Sequence, residues 1–200
     1  MKTILNVEIN NLRPTQSGLG MEEVNHKIQQ IKSMSKQELQ SYIDEKVVPV
    51  VLGPEKEYYL IDHHHYAYSM HVAGHNTIKA EVVADLSNLD DTKFWTEMEK
   101  RKWTWLFLPN GTKITPKHLP KTLYKLINDP FRSLAWGVRE LKGFNVEDKV
   151  PFFEFMWGNF YREYLTETLV AHDFELATKI ALKLSTHDIA KNLPGYKGQA

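Results

Sequence analysis

The chain has 200 residues, with 25 basic and 25 acidic side chains and no cysteine. Zero net charge gives no whole-chain attraction to nucleic acid or to an anionic membrane, and the missing thiols exclude disulfides, thiolate metal sites and cysteine nucleophiles. Met1 to Arg13 contains no apolar signal core, and no apolar run approaches the ~18 residues of a membrane span, so a cytoplasmic protein without a membrane partner is expected.

Leu5, Val7 and Ile9 alternate with Asn6 and Glu8, the period of a strand with one buried face. Arg13-Pro14-Thr15-Gln16 leaves it as an extended or turning segment, because proline disfavours helix in the residue before it. Met21, Val24, Ile28 and Ile31 recur at helical spacing, with Lys27 near the helix surface. Ser35 and Glu38 form a capping box for a second helix, whose apolar face is Leu39, Tyr42 and Ile43. Val47–Leu52 is a β-branched run in which Pro49 points to an edge strand or a strand start. The turn Gly53-Pro54-Glu55-Lys56-Glu57 joins that run to Tyr58–Ile61 as a hairpin.

Asp62 then stands as an N-cap, and helical spacing runs to Ala73 with Gly74 placed as the stop. The histidines His63, His64 and His65 therefore fall on the first turn of a helix that begins abruptly at a strand end. Amide N–H groups and the positive end of the helix dipole make such a turn an anion site, and imidazoles there can bind phosphate, move protons or ligate a metal. Three consecutive side chains point about 100° apart on a helix, so all three cannot converge on one ion, and no metal site is assigned. His71 and His75 follow on the same stretch, and His71 reads as a surface residue of the helix.

Ile78, Ala80, Val82 and Ala84 mark another strand, and Asp90 and Asp91 cap a helix carrying Phe94, Trp95 and Met98. Asn110-Gly111 between Trp103–Leu108 and Thr112–Thr115 is a hairpin signal. After Pro116 the pattern is helical only: Asp129-Pro130 opens a helix stopped at Gly143, Pro151 opens Phe152–Leu165, and Asp173 opens one to about Leu184. Asp129 and Arg132 read as a helix start and a surface pair, and the aromatic series from Phe131 to Tyr164 as core. The fold class is α+β: a small mixed sheet over residues 1–115, then a helical extension over 116–200 packed on it.

The proline-containing segment after the first strand, the Gly-Pro turn, and Tyr-Leu-Ile-Asp before a histidine-rich helix start resemble the ParB/sulfiredoxin superfamily over about the first 110 residues. More narrowly, Leu12-Arg13-Pro14-Thr15-Gln16, Asp62-His63-His64-His65, Asp129-Pro130-Phe131-Arg132-Ser133-Leu134-Ala135 and Pro151-Phe152-Phe153-Glu154-Phe155 resemble the ParB-like nuclease family. The superfamily motif is of the type Asp-Gly-His-His-Arg. Asp62 matches its aspartate and His64-His65 its histidine pair, while His63 stands for the glycine and Tyr66 for the phosphate-holding arginine.

The resemblance implies phosphate-directed nuclease chemistry at the Asp62–His65 turn. In it Asp62, His64 and His65 are catalytic, and Arg13, Gln16, Lys27, His63, His64 and His65 bind phosphate. Arg13 would supply a bidentate fork and Gln16 an orienting amide. The alternatives are a nucleotide-dependent small-molecule kinase and a nucleotide- or DNA-binding module without turnover. Nucleic acid or a nucleotide is the implied partner, and Mg²⁺ or a nucleotide the implied cofactor. Ile61-Asp62-His63-His64 also looks like the DHH phosphoesterase motif, but earlier strands lack the Asp-x-Asp that those enzymes use for metal.

Overall fold

The computed structural model describes residues 4–147 and 149–198. In chain order the elements are β1 (Ile4–Glu8), β2 (Leu12–Pro14), β3 (Gly18–Leu19), α1 (Met21–Ser33), α2 (Lys36–Glu45), β4 (Val47–Leu52), β5 (Tyr58–Leu60), α3 (His64–Val72), β6 (Thr77–Asp85), α4 (Asp91–Lys100), β7 (Ile127–Asn128), α5 (Pro130–Glu140), α6 (Phe153–Tyr164), α7 (Glu167–His172) and α8 (Phe174–Thr186). The chain forms two compact units. The first holds the segment ending at Gly18, Val24–Leu108 and Thr112–Ile127; the second holds Leu19–Glu23, Pro109–Gly111 and the segment from Asn128.

The first unit is built on a five-stranded mixed sheet of order β1-β6-β4-β5-β2. β1 runs antiparallel to β6 and β4 antiparallel to β5, whereas β4–β6 and β5–β2 are parallel. The Gly53–Glu57 turn closes the β4–β5 hairpin, as its composition predicts. Pro49, however, lies in the central strand and not at an edge. It lacks a donor but uses its carbonyl, which accepts from Ile61 N at 3.2 Å. On one face of the sheet Val51 packs with Phe94 and Met98 of α4, over which Tyr59, Trp95 and Trp103 close. The capping predictions hold at α2 and α4: the Ser35 hydroxyl and the Glu38 carboxylate form a reciprocal box at α2, and Asp90 accepts from Lys93 N at 2.9 Å at α4. The Asn110-Gly111 hairpin contracts to the Phe107–Lys113 bridge.

In the second unit α5 packs against α6, α7 and α8. Phe131, Leu134, Ala135 and Val138 meet Trp157, Phe160 and Tyr161, with Ala177 and Ala181 letting α8 approach closely. Phe144 stacks on Trp157 at 4.5 Å, and a Cβ on Gly158 would come within 3.1 Å of Phe131 O. Of the aromatic series, Phe131, Phe144, Phe155, Trp157, Phe160 and Tyr161 are core, as expected, whereas Trp136, Phe152 and Phe153 are half-buried and Tyr164 is exposed. Two features of this half of the sequence depart from the expectation of helix alone. β7 is a strand, too short for alternation to register, and it pairs with β3 in a two-stranded ribbon. α7 is a short extra helix opened by Thr166, whose hydroxyl accepts from Leu169 N at 3.2 Å.

Candidate functional site

β5 ends at Leu60 and α3 begins four residues later, so the Asp62-His63 corner must reverse the chain sharply. His63 makes that turn at φ 62°, ψ 28°, in the left-handed region, and is itself the N-cap residue. Asp62 does not cap α3 as the sequence predicts: its Oδ1 accepts from the adjacent His63 N at 2.6 Å. The left-handed residue between the carboxylate and the helix turns Asp62 back on its neighbour. The first turn of α3 consequently has no side-chain cap, and the His63 carbonyl takes the first helical bond, from Ala67 N at 3.0 Å. Asp62 and His63 are exposed at this corner.

The three imidazoles diverge, as their spacing requires. His64 points inward and is only 3 % exposed, with its Nε2 accepting from the backbone N–H of Thr15 at 3.2 Å. Burial pushes its pKa down to about 4, although Asp62 and a hydrogen bond with the Leu60 backbone oppose the shift. The ring is thus neutral, with its proton on Nδ1. His65 is also buried, while His63 faces solvent. Among the described residues no group of three or more His, Asp or Glu side chains is arranged to hold a metal ion.

The loop after β2 does lie beside the histidine helix, but through Thr15. Thr15 Oγ1 donates to Leu60 O at 2.7 Å, and the Thr15 carbonyl accepts from Trp105 N at 2.9 Å and Thr104 Oγ1 at 2.7 Å. Arg13 sits beside Tyr59 in register. Its guanidinium pairs with Glu57 and donates from Nη1 to Lys121 O at 2.8 Å. Gln16 is buried and donates to Gly18 O at 2.7 Å, and Lys27 is half-buried on α1. Spacing in the sequence carried no signal for Thr15, whose role depends on a contact 49 residues away.

In the second unit Asp129 and Arg132 are not a surface pair. Asp129 caps α5, its Oδ1 accepting from Phe131 N at 3.1 Å and Arg132 N at 3.0 Å, and its carboxylate faces Arg162 at 3.3 Å. Burial raises the Asp129 pKa against those interactions. Arg132 is 5 % exposed and pairs with Glu23 at 2.9 Å and with Glu154, which also takes Arg139 Nη1 at 2.6 Å. The two C-terminal motifs singled out in the sequence thus meet in one buried ion-pair network.

A sequence model of the family described as "Putative ParB-like nuclease" matches residues 5–163. The chain is similar over its full length to the crystal structure of protein Atu1540 from Agrobacterium tumefaciens, with 32% sequence identity, 100% of both chains covered and a TM-score of 0.93. None of the curated proteins matches it. No helix among the described residues is long and apolar enough to cross a membrane.

Proposed function

The chain belongs to the "Putative ParB-like nuclease" family, and from that premise we propose that it cleaves phosphodiesters, with the phosphate seated at the first turn of α3. The carrying observation is the helix start itself: a left-handed corner at His63, no side-chain cap on the turn that follows, and Asp62 and His63 exposed beside it. Amides and helix dipole together favour an anion there.

In this reading Asp62 orients the corner, and His65 with His63 supplies the titratable groups for acid–base transfer. His64 is a positioning residue, because its acceptor nitrogen is committed to Thr15 and it stays neutral. Arg13 can reach a phosphate only by leaving Glu57, so it would act upon a substrate-driven exchange of partners. Gln16 and Lys27 would contribute through the loop and α1 without a direct charge at the turn. A Mg²⁺ ion or a nucleotide would arrive with the substrate.

A binding module without turnover is the second reading. Tyr66, which stands where the superfamily has its phosphate-holding arginine, is buried edge-on to Tyr42 at 5.6 Å and offers no cation. Cleavage of single-stranded DNA and RNA, with and without Mg²⁺ or Mn²⁺, separates the two. Turnover that falls by about 10²-fold in His65→Gln supports the enzyme, since acid–base catalysis contributes about 10²–10⁴-fold. Absence of turnover, with phosphate or nucleotide still shifting the His63–His65 resonances, supports binding alone. Unmoved resonances at millimolar ligand overturn both.

A further inference from the structure

On the α4 side of the first unit's sheet lies a cleft of about 250 Å³ that shares Arg13, paired with Glu57, with the phosphate reading and is otherwise separate from it. Tyr59 and Trp95 line it, their rings edge to face at 5.6 Å, and four prolines stiffen its walls. Its charges are sorted by element. Lys117 and Lys121 come from the segment 116–121, whereas Glu55 comes from the β4–β5 turn and Asp91 from the first turn of α4. All four are exposed. Between them Arg13 and Glu57 neutralise one another, and the Tyr59 hydroxyl donates to Glu57 at 3.4 Å.

The rim is also conformationally costly. Glu55 and Lys56 are successive non-glycine residues at φ 57° and 59°, a state that persists only where surrounding structure holds it and that clusters at ligand clamps. Gly53 leaves the room that this turn needs, since a Cβ there would come within 2.5 Å of the Tyr59 ring. Burial raises the Tyr59 pKa to about 12, so its hydroxyl remains a donor.

Two exposed cations and two exposed anions cancel, so the cleft has no net attraction for a polyanion. Its volume lies just below the ~300–1,000 Å³ of ordinary ligand pockets, which calls for a small occupant. A ligand matching both signs at once must itself carry both. We infer that this cleft binds a small zwitterion of amino-acid size, with its carboxylate toward Lys117 and Lys121, its ammonium toward Glu55 and Asp91, and its apolar body against Trp95.

The test follows the Trp95 indole N–H resonance of the full chain, assigned with Trp95→Phe. L-Phenylalanine and L-leucine serve as zwitterions, N-acetyl-L-phenylalanine as the anion alone and L-phenylalaninamide as the cation alone. At least one zwitterion is expected to bind about tenfold or more tightly than either single-charge derivative, because a charged hydrogen bond is lost with each. The Lys117→Ala/Lys121→Ala double variant, altered only at exposed side chains, should weaken the zwitterion and the acetyl derivative and leave the amide unchanged. Equal affinity for zwitterions and derivatives, or an unmoved Trp95 resonance with both zwitterions at millimolar concentration, overturns the inference. Either result leaves the α3 phosphate site untouched, since no residue varied here belongs to it.

Discussion

Thr15 donates its backbone N–H to Nε2 of His64 across 49 residues of sequence, at 3.2 Å. The same residue's hydroxyl reaches Leu60 O, and its carbonyl takes Trp105 N and Thr104 Oγ1. One threonine therefore ties the end of β5, the start of α3 and the Trp103–Leu108 segment together. The tie requires an imidazole with a lone pair on Nε2, because a protonated ring would set donor against donor in a buried place. The α3 corner is consequently held by a group whose protonation would release it.

This makes stability fall on mild acidification. His64 has a folded pKa of about 4 against an ordinary 6.5, so the unfolded chain binds its proton more readily than the native one. The contribution is full above the unfolded value, is lost as pH falls from about 6.5 toward 4, and amounts to roughly 3 kcal/mol over that window. Urea midpoints measured at steps from neutral to acid pH should decline accordingly. His64→Gln should flatten that decline while lowering stability at neutral pH. An unchanged slope in the variant would assign the decline to other groups.

The His63 corner predicts a gain. A non-glycine residue in the left-handed region costs roughly 1–2 kcal/mol relative to glycine, and His63 sits there at φ 62°. His63→Gly should therefore raise the unfolding free energy, read from urea denaturation, by up to about 1 kcal/mol, part of the relief being offset by the greater freedom of glycine in the unfolded chain. His63→Val should lower it, because a β-branched side chain tolerates this region least. Loss of stability in His63→Gly would mean that the imidazole makes a contact worth more than the strain.

Apart from the short strands β2 and β3, which read only as an extended or turning segment, the order of strands and helices up to α4, the β4–β5 hairpin and the capping residues Ser35, Asp90, Asp129 and Asp173 were legible in the sequence, because they depend on spacing and on side chains a few residues apart. The histidine corner was legible as a place, and its detail was not. Asp62 has the chemistry of a cap, but the left-handed turn at His63 rotates it away, and the sign of that φ lay in the glycine of the superfamily motif for which His63 stands, not in the histidine itself. Pro49 in a central strand and Arg132 inside the second unit both override residue-type tendencies through tertiary partners. For Arg132 these are Glu23 and Glu154, which lie 109 and 22 residues away in sequence and cannot be paired with it by inspection.

The largest stability effect is expected at Arg132. Its guanidinium is 5 % exposed, meets Glu23 and Glu154 together, and faces the Phe155 ring at 5.8 Å. Taking three charges out of water is costly, so the network stabilises only as a set, and removing one member leaves buried carboxylates against each other. Arg132→Leu should cost about 3–5 kcal/mol, the size typical of breaking a buried pair. Arg139 is more exposed and can hydrate when its partners change, so Arg139→Leu should cost about 1 kcal/mol or less. Combining Arg132→Leu with Glu23→Leu and Glu154→Met should recover part of the loss, since apolar replacement of a whole buried triad is often neutral or better. Urea denaturation of the three variants, each followed by tryptophan fluorescence, to which the buried Trp157 of this unit contributes, reads all of these. A shift of less than about 1 kcal/mol in Arg132→Leu, the scale of an exposed pair, would show that the network is hydrated in solution and does not lock the start of α5.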